Sequence, residues 1–389
     1  MGKVLHRANR FLLRLVKYWL NFDWWEAIGS YRSAAAFLRI QPSDKTVLMI
    51  EPNRYHAEIL PGYCHYFQRL GFDIVLMIRR ENERSGVFAR FVGKDMPKSY
   101  AMHPKMMRYV LKKCNRTRFA FVFITSAYWI ETFGHFGVFC NFLGGCPEGQ
   151  FGYAMIVHDF EHILSNIMSN EVEVSRIAML SPYQYQGMTV SMVNPHYFGP
   201  VVLGALTECR VFITVGAQYR SYGHLFGAAR ELEERGYRNF KIQVIGRSGA
   251  TRKDFPNAPS CVEFLGRLDF SELYKRLEEA DFFLPLLDSE IPSHRHYLEG
   301  QTTGARQLIL GFLKVPVIQE QFANAYGFNE DNGVVYTADK LSEGMLRAMK
   351  LSAKEYEVRR THLKDLSASI ESESLQNLVK YFHTTKESI

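Results

Sequence analysis

Residues 299–318, Glu-Gly-Gln-Thr-Thr-Gly-Ala-Arg-Gln-Leu-Ile-Leu-Gly-Phe-Leu-Lys-Val-Pro-Val-Ile, pass from a polar loop through a helical period to a continuous apolar run. Ala305, Leu308, Ile309 and Phe312 share one helical face, and Val315, Pro316, Val317 and Ile318 read as a buried strand. Loop, helix and buried strand in immediate succession belong to α/β folds, whose parallel sheets are covered on both sides by helices. Thr302 and Thr303 are N-cap candidates, and the stretch from Gly311 to Lys314 is read as the close of the helix. A helix opening on Thr-Thr-Gly offers free backbone N–H groups, two hydroxyls and the positive end of the helix dipole, which suits a phosphate or carboxylate. The same residues also satisfy an ordinary capped helix, and both readings stay open.

At 389 residues the chain is long enough for two domains, and 47% hydrophobic content gives each a core. The net charge of +7, without a Lys/Arg block, suits an anionic ligand or membrane surface and not extended nucleic-acid binding. Six cysteines without a Cys-x-x-Cys pair imply reduced thiols in a cytosolic compartment and no zinc site. No run approaches the roughly 18 apolar residues of a spanning helix, and no repeat with a period of about 20 to 50 residues is found.

The order of elements resembles the GT-B glycosyltransferases, whose nucleotide-sugar loop reads E-G-F-G-L-P-x-x-E-A-x-x-x-G-x-P-V-I. Aligning on Pro316, Val317 and Ile318 sets Gln301, Thr302, Thr303, Gly304 and Ala305 against E-G-F-G-L, with Gly304 on the second glycine. Upstream, 211–216, 242–246, 262–266 and 273–287 fall in the family's order. Gln301 and Ile309 replace the two family glutamates, and Glu299 stands near enough to substitute for one. The family's G-R-L-x-x-x-K-G keeps only Gly216 and Gly223. The resemblance implies two Rossmann-like domains, a donor diphosphate on the Thr302, Thr303 and Gly304 helix start, Gly266 beside the base, and retention of anomeric configuration.

Read in order, residues 1–41 form a basic amphipathic segment. Lys3, Arg7, Arg10, Arg14 and Lys17 oppose Val4, Leu5, Phe11, Leu12, Leu15, Val16 and Trp19. That pattern fits a helix in an anionic bilayer interface, a helix packed on the protein itself, or a transit peptide. Residues 42–208 follow as a first Rossmann-like, acceptor-binding domain. Its loop 51–58 lies at the carboxyl end of the first strand, where open α/β sheets bind ligands, so His56 and Glu58 are acceptor-side candidates. His158 follows a third strand, and in the family a histidine there lies near the donor sugar. His158 with His162, and Asp159 with Glu161, are also metal-like pairs; acid-x-acid recurs at Asp288 and Glu290.

Residues 209–340 form the nucleotide-sugar domain and 341–389 a helical tail, which in GT-B proteins often crosses back to the first domain. With the family Arg/Lys pair missing, Arg220, Arg247 and Arg295 are the candidates to neutralise a diphosphate, since a guanidinium can grip two phosphate oxygens. The expected activity is metal-independent glycosyl transfer from a nucleotide sugar to a saccharide or lipid-linked saccharide, in cell-surface polysaccharide or glycolipid synthesis. The expected place is the inner face of the membrane, peripherally attached. His158, Glu299, His56 and Glu58 are the catalytic candidates. A non-catalytic membrane-surface module and a nucleotide-sugar epimerase of the same fold are the alternatives.

Overall fold

The structure is a computed structural model that describes residues 24–53, 56–114, 118–127, 152–158, 174–216, 220–246 and 252–383. Residues 3–20, with the amphipathic pattern, lie outside it, as do Asp159, Glu161, His162 and Arg247.

The first sheet comprises β1 (Thr46–Glu51), β2 (Asp73–Ile78), β3 (Lys98–Ala101), β4 (Phe121–Ile124), β5 (Gly152–Val157), β6 (Ile177–Met179), β7 (Tyr183–Tyr185) and β8 (Met188–Met192). Its order is β3-β2-β1-β4-β5-β6-β8-β7. Every pairing is parallel except the β7–β8 hairpin. β1 shows why the strands read as unbroken apolar runs. Leu48 and Ile50 pack into one core and Val47 and Met49 into the other, so both faces are covered.

The second sheet comprises β9 (Arg210–Val215), β10 (Phe240–Ile245), β11 (Val262–Gly266), β12 (Phe282–Phe283), β13 (Val315–Gln319) and β14 (Val334–Tyr336). It is parallel, in the order β11-β10-β9-β12-β13-β14. Here Phe212 and Phe282 face one core and Ile213 and Phe283 the other.

Three local features shape the two halves. The β7–β8 hairpin turns through Gln186 and Gly187 at φ 47° and 81°, the doubly left-handed geometry of a tight hairpin turn. β8 ends at Met192, and the segment from Val193 onward is irregular. The helix α1 (Gly304–Phe312) ends on Leu313 at φ 50°, within the stretch from Gly311 to Lys314 read as its close, and Gly311 itself lies in its last turn. Gly311 serves the seam between the halves: a Cβ there would come within 2.2 Å of the His196 carbonyl oxygen and 2.5 Å of the Phe198 ring.

A long helix, α2 (Ala353–His383), crosses both halves. Tyr356 joins one core of the second half, Leu363 and Ile370 the other, and Leu378 and Tyr381 a core of the first. Asn377 Nδ2 donates to the Met192 carbonyl at 2.8 Å and Tyr381 Oη to that of Ile177 at 2.8 Å. A further clasp is made by Arg90, whose guanidinium is 2.8 Å from the Glu278 carboxylate and stacks over Tyr274 and Phe312 at 5.2 and 5.4 Å.

Candidate active site

In each sheet the chain reverses direction of growth once, between β1 and β4 and between β9 and β12, and such switch points open a crevice at the carboxyl ends of the strands. Polar clusters occupy both.

At the first crevice, Glu51 ends β1 and is fully buried. Its Oε1 accepts from Asn53 N–H at 2.7 Å, and its Oε2 lies 2.7 Å from Thr125 Oγ1. Thr125 Oγ1 is also 3.1 Å from the Ile50 carbonyl, which can only accept. One hydroxyl proton cannot serve both, so when Thr125 donates to Ile50 the carboxyl of Glu51 must carry the proton. Burial drives the same way: it lifts Glu51 to about 8 against the lowering effect of Thr125, Asn53 and His56.

His56 stands at φ 66°, an uncommon left-handed position for a residue with a side chain, and its ring meets His158 with centroids 4.3 Å apart. His56 Nδ1 is 3.6 Å from Glu58 Oε1. Burial opposes charge on His56, but the Glu58 carboxylate outweighs it and with Glu51 raises His56 above its ordinary value. For His158, burial and then the His56 charge push the imidazole well below its ordinary value. His158 Nε2 lies 3.1 Å from Ser126 Oγ and 3.4 Å from the Thr125 carbonyl. A carbonyl only accepts, so this contact favours the tautomer with the proton on Nε2 and a lone pair on Nδ1. Two adjacent histidines are thus pushed apart, one toward the cation and one held neutral, the pattern by which acid and base roles are divided.

At the second crevice Thr303 is the N-cap of α1, its hydroxyl accepting from Ala305 N–H at 3.3 Å and from Arg220 Nη2 at 3.1 Å. Arg306, in the first turn, is 3% exposed, stacks over Tyr326 at 5.7 Å and reaches the Leu180 carbonyl of the first half at 3.4 Å. Burial pulls both guanidiniums down, Arg306 to about 10. Among the described residues neither makes an ion pair with a carboxylate, and Nε of each is buried without a hydrogen-bond partner. The Thr302 hydroxyl and Tyr326 Oη are buried and unpartnered too. Buried cations are ordinarily paired.

The structure therefore brings together His56, Glu58 and His158 in one cluster, and Arg220, Thr302, Thr303 and Gly304 in another, with Gly216 against the Arg220 guanidinium. Gly266, at φ 68°, ends β11 and accepts from Gly246 N–H at 2.9 Å. Glu299 and Arg295 are exposed, and neither side chain hydrogen-bonds to the helix start. Both precede α1 closely in sequence, but a short 3-10 segment (Pro292–Leu298) turns them to solvent. Glu51 and Arg306 escaped the sequence reading. Among the described residues no group of His, Cys, Asp or Glu could hold a metal ion, and Asp288 pairs instead with His224 at 2.6 Å.

No protein-family model matches the chain, and no curated protein does. Solved structures do. The chain is similar to AviGT4, a glycosyltransferase involved in avilamycin A biosynthesis, at 12% identity over 87% of this chain and 98% of that one, with TM-score 0.54. A glycosyltransferase from Rickettsia africae ESF-5 aligns at 10% identity over 88% and 99%, with TM-score 0.53. The glycotransferase of kitacinnamycin aligns at 10% over 87% and 98%, with TM-score 0.51. At such identities the likeness establishes architecture: the chain has the two-domain GT-B fold of glycosyltransferases.

Proposed function

We propose that the protein transfers a sugar from a nucleoside diphosphate sugar to a hydroxyl of a saccharide or lipid-linked saccharide, in cell-surface polysaccharide or glycolipid synthesis. The observation that carries this is the pair of a half-buried Arg220 and a buried Arg306, two guanidiniums that among the described residues have no carboxylate partner, beside the N-terminus of α1. A diphosphate would supply the missing countercharge. In the reaction the leaving diphosphate gains negative charge, and preorganised N–H groups and cations stabilise it without a metal ion. His56, poised by Glu58, would take the proton from the attacking hydroxyl. A base on the acceptor side favours inversion of the anomeric centre, where the family resemblance implied retention. That the neighbours in fold are glycosyltransferases supports an enzyme over a binding module.

The test is a thermal-shift panel of nucleoside diphosphates followed by turnover of the matching sugar nucleotide in excess chelator, with the product anomer read by NMR. Ligand binding to the native state raises its melting temperature. No stabilisation by any nucleotide would remove the reading, and hydrolysis or epimerisation without transfer would replace it. The basic amphipathic segment 3–17 supports peripheral attachment to an anionic membrane, each cation adding on the order of 1 kcal/mol. Co-sedimentation with anionic liposomes, full chain against a chain beginning near Gln41, checks that attachment.

A further inference from the structure

The second half contains a cavity of about 280 Å³ lined by none of the residues placed in the two clusters above. It opens between the helix α3 (Tyr222–Glu234) and the helix α4 (Leu341–Lys350), over the carboxyl ends of β12, β13 and β14. Gln319, 3% exposed, lines the cavity and uses Oε1 to accept from Ser289 N–H at 3.0 Å, while its Nε2 has no hydrogen bond among the described residues. Tyr336 and Ser342, 8% and 6% exposed, also line the cavity, and among the described residues their hydroxyls have no hydrogen-bond partner. Three polar groups from nearly buried residues thus line one void with hydrogen-bonding capacity to spare, which suits a polar guest.

The shape is maintained at a cost. Gly223 and Gly227 face it from α3, and at Gly227, in the interior of the helix, glycine weakens the helix relative to alanine. A Cβ at either would meet nothing within 4 Å, so close packing does not explain them. Leu286, in the wall, sits at φ 51°, a left-handed conformation that is strained in a residue with a side chain.

The chemistry of the wall defines the guest. Glu231, Asp288 and Asp339 outnumber His224, which disfavours phosphates and carboxylates. Gln319, Tyr336 and Ser342 supply both donors and acceptors, and Leu286, Leu287 and Leu341 supply an apolar surface. A pyranose ring has this mixture, with hydroxyls at its rim and C–H groups on its face. We propose that this cavity is a second ligand site, separate from the Arg220 and Thr303 crevice, for a neutral ring bearing vicinal hydroxyls. Two sources share that chemistry, a saccharide and the ribose of a nucleoside.

Titration of the full chain with D-glucose, D-galactose, D-mannose, uridine and guanosine, followed by saturation-transfer NMR and thermal shift, distinguishes the sources. Binding of a hexose assigns the site to saccharides, and binding of nucleosides alone assigns it to ribose. In either case Gly227→Leu, which fills the void from a position open to a side chain, should weaken binding at least tenfold without lowering the melting temperature. Gln319→Leu should weaken it similarly, and Thr303→Asp should leave it unchanged. The proposal is overturned if none of the five ligands binds at about 50 mM. It is equally overturned if binding persists in Gly227→Leu, or if Thr303→Asp abolishes it.

Discussion

The ring of His56 lies on the ring of His158, centroids 4.3 Å apart and planes inclined at 40°. Two imidazolium ions at that distance would repel, and Glu58 beside His56 decides which ring takes the charge. Because a base must be neutral to accept a proton, kcat/KM is expected to rise with pH through a midpoint above 6.5, the ordinary histidine value that His56 exceeds. Glu58→Gln removes the chief raising influence and should move that limb to lower pH. His56→Asn should abolish the limb and lower kcat by about 100-fold or more, the usual range for loss of a general base. An unchanged pH profile in His56→Asn would exclude His56 as the base.

Thr303→Asp offers a clean separation of capping from binding. Aspartate caps a helix as well as threonine does, so the fold should survive, but a carboxylate beside Arg220 would occupy the place of a phosphate. Nucleoside diphosphate affinity is expected to fall about 100-fold, or roughly 2.7 kcal/mol. Arg306→Met should show the complementary behaviour. An unpaired buried charge is replaced by an apolar chain of similar reach, so the ligand-free protein should melt at the same temperature or higher, while the nucleotide-induced shift is lost. If Arg306→Met instead keeps the full shift, Arg306 belongs to the domain seam alone.

How far these sites were legible in the sequence follows from the range of the interactions. Strands β1, β2, β9, β10 and β13 announce themselves because each is a local apolar run, and Thr303 is recognisable because an N-cap acts on its own helix. Glu51 is not legible: what makes it a protonated acid is burial in the finished fold, where its partner Thr125 comes from 74 positions along the chain. Arg306 looks like one of many helical arginines until Leu180 and Tyr326 enclose it. Arg295 shows the converse error, since closeness in sequence to the Thr-Thr-Gly start says nothing about which way a 3-10 segment will aim it.

Gly311→Ala tests the seam directly. Alanine in the interior of a helix normally gains about 1 kcal/mol over glycine. Here the added methyl would meet the His196 carbonyl oxygen at 2.2 Å, a contact that backbone must move to relieve. Overpacking of this kind costs typically about 1–3 kcal/mol, so the sign should reverse and the urea midpoint should fall. A stabilised Gly311→Ala would mean that the two halves do not meet at this helix in solution.

Glu51→Gln makes a prediction whose sign depends on pH. In the unfolded chain Glu51 ionises near 4.5, whereas in the folded protein it holds its proton to about 8. The folded state therefore binds more protons between these values, and its stability falls as pH rises from about 4.5 to 8. Below 4.5 both states are protonated and the residue contributes no such slope. Glutamine keeps the buried shape and can offer an N–H to Thr125 without ionising when the chain unfolds. The variant should thus match the wild type near pH 4 and exceed it increasingly above, by an amount on the order of 3 kcal/mol at pH 7 if the whole shift is expressed. Chemical denaturation across this pH range measures the difference. Parallel pH dependence in the two proteins would show that Glu51 is ionised in the fold, and with it the proton assigned to the Glu51–Thr125 contact would be wrong.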